Sequence, residues 1–284
     1  MKTQLLRALN ISAASGLVNV QDRFYAIADD EHCLICFTEN PNSPIEKVRL
    51  FAGELPDEPA ERKKLKPDLE SLVYVQELNA LLAVPSGSTP NRCRGALINL
   101  QPDGVGKVSP IDFTDLFLNL QKSINDLNIE GAVLFGDRFK LFQRGNSARG
   151  ENSIINLNRQ IILEDLRAGC ISAKGLQSVV KCDLGNLNGV PLGFTDAAVV
   201  AEQIHFIAVA ERTDSTYDDG EFAGAILGRL NNSDQVEFQE QLICSVKPEG
   251  LCARGSELYL VTDADDRNTF SELYFIPSDS GTGG

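Results

Sequence analysis

The stretch Lys247 to Ile276, KPEGLCARGSELYLVTDADDRNTFSELYFI, is one copy of a unit that recurs along the whole chain. It opens with an acid and a small residue, Glu249-Gly250, and runs through an apolar strand into a second strand at Leu258 to Thr262. It breaks at the acidic loop Asp263 to Asp266 and resumes at Glu272 to Ile276, where Leu, Tyr, Phe and Ile again favour a strand. The same opening stands at Glu70-Ser71, Glu130-Gly131 and Asp196-Ala197, with a weaker version at Ser15-Gly16. Counted on the acid position, the copies are 55, 60, 66 and 53 residues apart, and 50 residues lead from Glu249 around the ends back to Ser15. A β-rich unit repeated at nearly constant spacing, with the circle closing at the same period, predicts an all-β, five-bladed β-propeller of four strands per blade.

A ring of this kind needs its last blade completed by the first segment of the chain, and residues 3 to 10 alternate enough to be that strand. Blade one then reads Gly16 to Val20, Phe24 to Ala28, Cys33 to Phe37 and Lys47 to Phe51, with Asp29-Asp30 and Asn40-Pro41-Asn42 as turn chemistry. Gly53 to Lys66 is polar, carries two prolines and reads as a solvated surface crossing. Blade two spans Leu72 to Ile111, with the loop SGSTPNRCR between its second and third strands. That loop lacks the Lys-Ser/Thr and the strand-to-helix setting of a phosphate-binding P-loop. From Asp112 to Asn128 the pattern changes: Phe113, Leu116, Phe117, Leu120, Ile124 and Leu127 recur at three- and four-residue intervals, which predicts one inserted helix across a blade edge. Blade three runs from Gly131 to Asp183 with a long excursion before its last strand, and blade four from Ala197 to Ile243 with the acidic loop DSTYDDGE. The expected organisation is a single propeller domain over 1–284, with 278–284 as a flexible tail.

Forty acids against 26 bases give a net charge of −14, which excludes general binding to nucleic acid, because that needs a clustered basic surface. The N-terminal segment is broken by Arg7 and Asn10, too polar for a signal peptide, and no run reaches membrane-spanning length. Seven cysteines, several inside apolar strand patterns, read as buried reduced thiols and point to the cytoplasm. Cys33 and Cys36 with His32 lack the second ligand pair that zinc requires, so they are read as strand residues. His205 lies in an apolar strand, and neither histidine aligns with a serine or aspartate in a way that makes a nucleophilic triad.

In an antiparallel blade the start of the innermost strand and the end of the second lie on one face, beside the central channel. The first set comprises Ser15, Glu70, Glu130, Asp196 and Glu249; the second comprises Asp29, Ser86, Arg144, Glu211 and Asp263. Carboxylates about 6 Å apart repel by roughly 3 kcal/mol per pair at an effective dielectric near 20. Such a mouth needs protonation, arginines from adjoining loops (Arg144, Arg149, Arg212 or Arg267), or a hard divalent cation, Ca²⁺ or Mg²⁺ in preference to Zn²⁺. The expected assignment gives Glu70, Glu130, Asp196 and Glu249 to a metal and Asp263 or Glu211 to the general base. Arg144, Arg212, Asp29 and Ser86 would contact a small phosphorylated or oxygen-rich substrate. The bland reading makes each acid a cap on loop amides that locks blades together. A glycoside hydrolase would use paired carboxylates, but the chain has no Trp and five Tyr for stacking on sugars. A non-enzymatic ligand-binding or scaffold propeller is the remaining alternative, with no organic cofactor and no protein partner specified.

The phrases LPDEPAERKKLKPDLESL, PSGSTPNR, LNIEGAVLFGDRFKLFQRGN, GVPLGFTDAA, AERTDSTYDDG, and KPEGL through VTDADD resemble a family of uncharacterised bacterial proteins, a domain of unknown function, over nearly the whole chain. The resemblance implies a β-propeller and no activity. The Glu-Gly and Thr-Asp-Ala-Asp-Asp phrases are similar, more loosely, to esterase-like phytase propellers, and that similarity carries no catalytic assignment. Ser15 departs from the acid pattern and leaves the ring asymmetric.

Overall fold

A computed structural model describes residues 1–102, 104–145, 151–212, 220–264 and 266–277. Five antiparallel sheets form the blades. Blade one comprises β1's neighbours in sequence, β2 (Ala14–Val20), β3 (Arg23–Ala28), β4 (Cys33–Phe37) and β5 (Glu46–Arg49), where β1 is Gln4–Ala8. Blade two comprises β6 (Leu69–Val75), β7 (Ala80–Pro85), β8 (Arg94–Gln101) and β9 (Gly104–Asp112); blade three has β10 (Ile129–Phe135), β11 (Arg138–Gln143), β12 (Ser153–Asn158) and β13 (Leu176–Lys181). Blade four adds a short edge strand and reads β14 (Asn186–Leu187), β15 (Val190–Val200), β16 (Gln203–Arg212), β17 (Glu221–Leu230) and β18 (Val236–Leu242). Blade five takes β19 (Lys247–Arg254), β20 (Glu257–Asp263) and β21 (Glu272–Ile276), and β1 completes it, pairing Gln4 with Phe275 and Ala8 with Glu272. The N-terminal strand closes the ring, as the repeat requires.

Blades stack face to face, so strands near the axis bury both faces; all six residues of β7 are buried. The innermost strands β2, β6, β10, β15 and β19 stand side by side around the axis. Each carries a bulge, near the start of four of them and midway along β15: Ser15, Glu70, Glu130, Thr195 and Glu249 are the unpaired residues. One residue further in stand Gly16, Ser71, Gly131, Asp196 and Gly250. A Cβ on Gly16 would lie 2.8 Å from the Leu72 amide nitrogen, and one on Gly250 3.0 Å from that of Leu17, so neighbouring inner strands approach closely only because those side chains are missing.

Among the described residues three short α-helices sit between strands, where one was expected. The predicted helix over Asp112 to Asn128 is α2 (Thr114–Leu120) alone. Its apolar face is buried as the spacing implies, Ile124 and Leu127 included, but beyond Leu120 the chain turns, with Ser123 Oγ donating to the Leu120 carbonyl and Asp126 at φ 51°. The excursion before β13 holds α3 (Arg159–Ala168), capped by Asn158 and stopped by Gly169 at φ 85°, with Ile162, Leu163 and Leu166 buried against the blade two–blade three core. The stretch read as a solvated crossing contains α1 (Pro59–Leu65), capped by Glu58 with proline in the first turn and Pro67 just beyond its end. None of its residues is buried, so no apolar period marks it.

All seven cysteines are free thiols. Cys33 and Cys36 lie three apart on β4 and face opposite sides; Cys33 donates to Glu31 while Cys36 approaches Arg23, so the pair shares no site. Among the described residues no helix is long and apolar enough to cross a membrane.

Candidate functional site

The bulges and the ends of the second strands meet at one mouth of the channel. Two lobes of buried charge fill it. In the first, Arg144, at the end of β11, lies 3.4 Å from Glu130, 2.5 Å from Glu211 and 4.0 Å from Glu249, and Lys247 lies 3.1 Å from Glu249 and 3.6 Å from Glu211. Gly193 makes room for this arginine: a Cβ there would stand 2.9 Å from Arg144 Cγ. In the second lobe Lys66 pairs with Asp29 and, at 2.9 Å, with Asp68, while Arg92 lies 2.9 Å from Asp68. Ser86 donates to Asp68, and Ser88 does so at 3.2 Å. Carboxylate oxygens of Asp29, Asp68 and Glu70 all lie within 4.8 Å of one another.

This arrangement splits the carboxyls into two kinds. Burial pushes Glu70 well above the usual range, reinforced by Asp68, Glu130 and Asp29; burial likewise raises Glu130 to about 8 even though Arg144 opposes it. Asp29 is raised by burial, only partly offset by Lys66. For Asp68 burial acts in the same sense, yet Lys66, Arg92 and the Ser86 hydroxyl outweigh it and hold the carboxyl below its ordinary value. Burial would lower Arg144, but Glu130, Glu211 and Glu249 together raise it.

Of the residues singled out from the sequence, the mouth brings together Glu70, Glu130, Glu249, Asp29, Ser86, Arg144 and Glu211. Asp263 lines a cavity of ≈ 180 Å³ with Asp29 and Lys66. Two residues differ from expectation. Asp196 does not share the bulge row: Thr195 is the bulged residue, and Asp196 stands one layer deeper, where its carboxyl accepts from Ser71 Oγ at 3.2 Å and from the Leu251 amide at 2.9 Å. It thereby ties blades two, four and five, in space left by the glycines of that layer. Arg212 follows Glu211 on β16 and so faces the other way, exposed and paired at 2.7 Å with Glu221. Arg267 reaches Asp30 and the Asp57 carbonyl, and Arg149 lies outside the described residues. Ser15 donates to the Leu69 carbonyl, a blade-locking bond of the kind the capping reading gives every acid. His205, half-buried at the start of β16, is at the opposite end of that strand from Glu211.

Sequence reasoning missed Lys66, Asp68, Arg92 and Lys247. Asp68 and Lys247 both stand two residues before a bulge, in a row with Ala13, Asn128 and Gly193 that the repeat spacing defines equally well. Lys66 and Arg92 come from the α1 segment and from the loop after Ser86, outside any repeat.

Burial raises the Asp196 carboxyl well above its usual range, so the fold disfavours its charged form. Asp196→Asn keeps an acceptor for Leu251 and can donate to Ser71, and its unfolding free energy at pH 8 is expected to equal or exceed the parent's. Asp196→Ala, which leaves the Leu251 amide unpaired, should cost about 1–3 kcal/mol in denaturant titrations.

Residues 10–276 match the model of a family described as a family of unknown function (DUF6929). No curated protein sequence matches the chain. Among solved structures, it resembles a glutaminyl cyclase from Myxococcus xanthus, with a TM-score of 0.53 at 9% identity over 97% of this chain and 98% of that one. It also resembles the arabinanase Arb43A of Bacillus subtilis, with a TM-score of 0.50 at 11% identity over 98% and 99% of the two chains. At such identities the likeness shows the propeller fold alone.

Proposed function

The chain belongs to the DUF6929 family, whose function is unknown, and for it we propose that the channel mouth binds a hard divalent cation and hydrolyses a small phosphorylated or otherwise oxygen-rich substrate. The observation that carries this reading is the convergence of Asp29, Asp68 and Glu70, whose oxygens lie within 4.8 Å of one another. Oxygens sharing one Ca²⁺ at 2.3–2.6 Å are separated by no more than about 5 Å. Glu130 and Glu249 are taken by Arg144 and Lys247, and Asp196 by Ser71 and Leu251, so the ligand set favoured here differs from the one the repeat alone suggests.

A bound cation would supply stabilisation for negative charge developing on a substrate oxygen. Lys66, which pairs with Asp29 and Asp68, would have to release them to a cation, and its ammonium would then be available to a substrate anion. Burial disfavours the charged form of Glu70, so its ligation to a cation would be favoured by rising pH. Asp263, which lines one cavity with Asp29 and Lys66, would accept the proton of an attacking water, and Glu211, held by Arg144 and Lys247, would be the alternative base.

Chelator-treated protein titrated with Ca²⁺, Mg²⁺ or Mn²⁺ should melt at higher temperature, gaining about 2.7 kcal/mol at a hundredfold excess over Kd. Glu70→Gln and Asp68→Asn should abolish the gain, and phosphate-ester hydrolysis should follow the same ion. If no ion moves the midpoint, the ammonium of Lys66 is the permanent occupant, and a metal-free binding or scaffold propeller becomes the better reading, one favoured by the ion pairs Lys66 already makes.

A further inference from the structure

Asp29 faces the mouth; Asp30, its neighbour, faces outward into a separate groove of ≈ 970 Å³ between the loop after β3, the α1 segment and residues 266–270. That volume is at the upper end of the range for small-molecule sites, about 300–1,000 Å³. Asp30 is 9% exposed, and its Oδ1 has no hydrogen-bond partner. Its Oδ2 lies 3.8 Å from both Arg62 Nη1 and Arg267 Nε, beyond hydrogen-bond reach. A buried carboxylate this poorly satisfied is costly in a folded protein, and the missing partner is a donor. On the groove's wall Phe270 keeps 58% of its surface exposed.

We infer that the groove binds a saccharide, or the sugar portion of a larger molecule. Four acidic side chains in the lining are matched by four basic ones, so the wall selects neither a strong anion nor a strong cation. An ammonium would satisfy Asp30 Oδ1 but would be repelled by Arg62, Lys66 and Arg267, all of which act on that carboxyl. A hydroxyl is neutral and both donates and accepts, so one sugar hydroxyl can donate to Asp30 while it or its neighbour accepts from a guanidinium. The exposed phenyl face offers an apolar platform for the C–H side of a pyranose or furanose ring. Asp30, Arg62 and Arg267 also line the smaller cavity that reaches Asp29, Lys66 and Asp263, so a ligand in the groove can extend to the mouth. The groove stands on its own geometry; that its saccharide belongs to the substrate hydrolysed at the mouth rests on the reading above.

The test is a ligand-observed NMR titration of the full chain in excess chelator, so that it does not depend on the cation site. The probes are glucose, ribose and maltose, with glycine and inorganic phosphate as the zwitterion and anion arms. The expected result is saturable binding of at least one saccharide, weakened about tenfold or more by Phe270→Ala and by Asp30→Asn. Phe270 is exposed, so its variant folds whatever happens at Asp30. Saccharide binding in chelator with no cation shift would leave the groove standing and remove the hydrolase reading. Saccharides that fail to saturate at about 100 mM, binding only by glycine or phosphate, or equal binding by the Phe270→Ala variant would each overturn the groove assignment.

Discussion

Arg144→Met is expected to destabilise the fold by about 3–5 kcal/mol near pH 8, because it leaves buried carboxylates without their cation. Glu130, Glu211 and Glu249 all lie within 4.0 Å of this one guanidinium, and Lys247 lies within 4.0 Å of the last two. Methionine preserves much of the stem that packs on Gly193, so the loss reports charge more than volume. Arg144→Lys should recover part of it, since an ammonium keeps the charge but cannot fork between three carboxylates.

The pH profile gives the sign. A carboxyl whose folded-state value is raised stabilises the fold fully below its unfolded value, and that contribution is lost as pH rises through the folded one. Glu130, raised to about 8, therefore makes the parent protein lose stability between its ordinary range near 4.5 and pH 8, and Glu70, Asp196 and Asp29, also raised, act in the same direction. Asp68, held below its ordinary value, acts oppositely and loses its contribution only on further acidification. Without Arg144 the fall towards alkaline pH steepens, and at pH 5, where the orphaned carboxyls can hold protons, the gap between variant and parent narrows. Urea titrations across pH 5–8 measure this directly. A penalty that stays constant over that range would mean that Arg144 acts through packing.

How far the sequence predicts this chemistry depends on which residues obey the repeat. Strand positions do, because period-two alternation and turn residues are local signals, and the five bulges follow since they recur at the same step of each blade. The acids Glu70, Glu130 and Glu249 are legible for that reason. Asp196 misleads by a single residue: Asp196-Ala197 looks like the acid-small opening of the other blades, but the register of β15 on β16 puts Thr195 in the bulge and the acid a layer deeper. Glu211 reaches the mouth although, by register, Val209 stands where the other blades have Asp29, Ser86, Arg144 and Asp263. Its longer side chain spans what its position does not. The compensating cations were the hardest to see. Lys66 sits in a run of charged residues that reads as solvated, and only the cap of α1 and the proline after Lys66 hint that the chain there has a fixed course.

The second large effect lies at the other end of the blades. Lys140, in the middle of FKLF, reads as an ordinary outward lysine, yet it is 4% exposed because blade four covers it. Its ammonium donates to Asn156 Oδ1 at 2.6 Å and to both carboxylate oxygens of Asp234, at 2.6 and 2.9 Å. Asp234 occupies the turn between β17 and β18 at φ 58° and accepts a further bond from Asn156 at 2.9 Å. The triad thus fastens blade three to blade four at the channel end remote from the mouth. Lys140→Met should cost about 3–5 kcal/mol, since Asp234 stays buried and charged with one donor left. Adding Asp234→Asn should restore much of the loss: asparagine tolerates positive φ, and the unpaired charge disappears. The double-mutant cycle should show a coupling of about 0.5–3 kcal/mol. If the two penalties simply add, the pair is not a fastening between blades. Because the triad is distant from Asp29, Asp68 and Glu70, any cation-induced rise in melting temperature should survive in the double variant, separating the forces that hold the ring closed from those that equip its mouth.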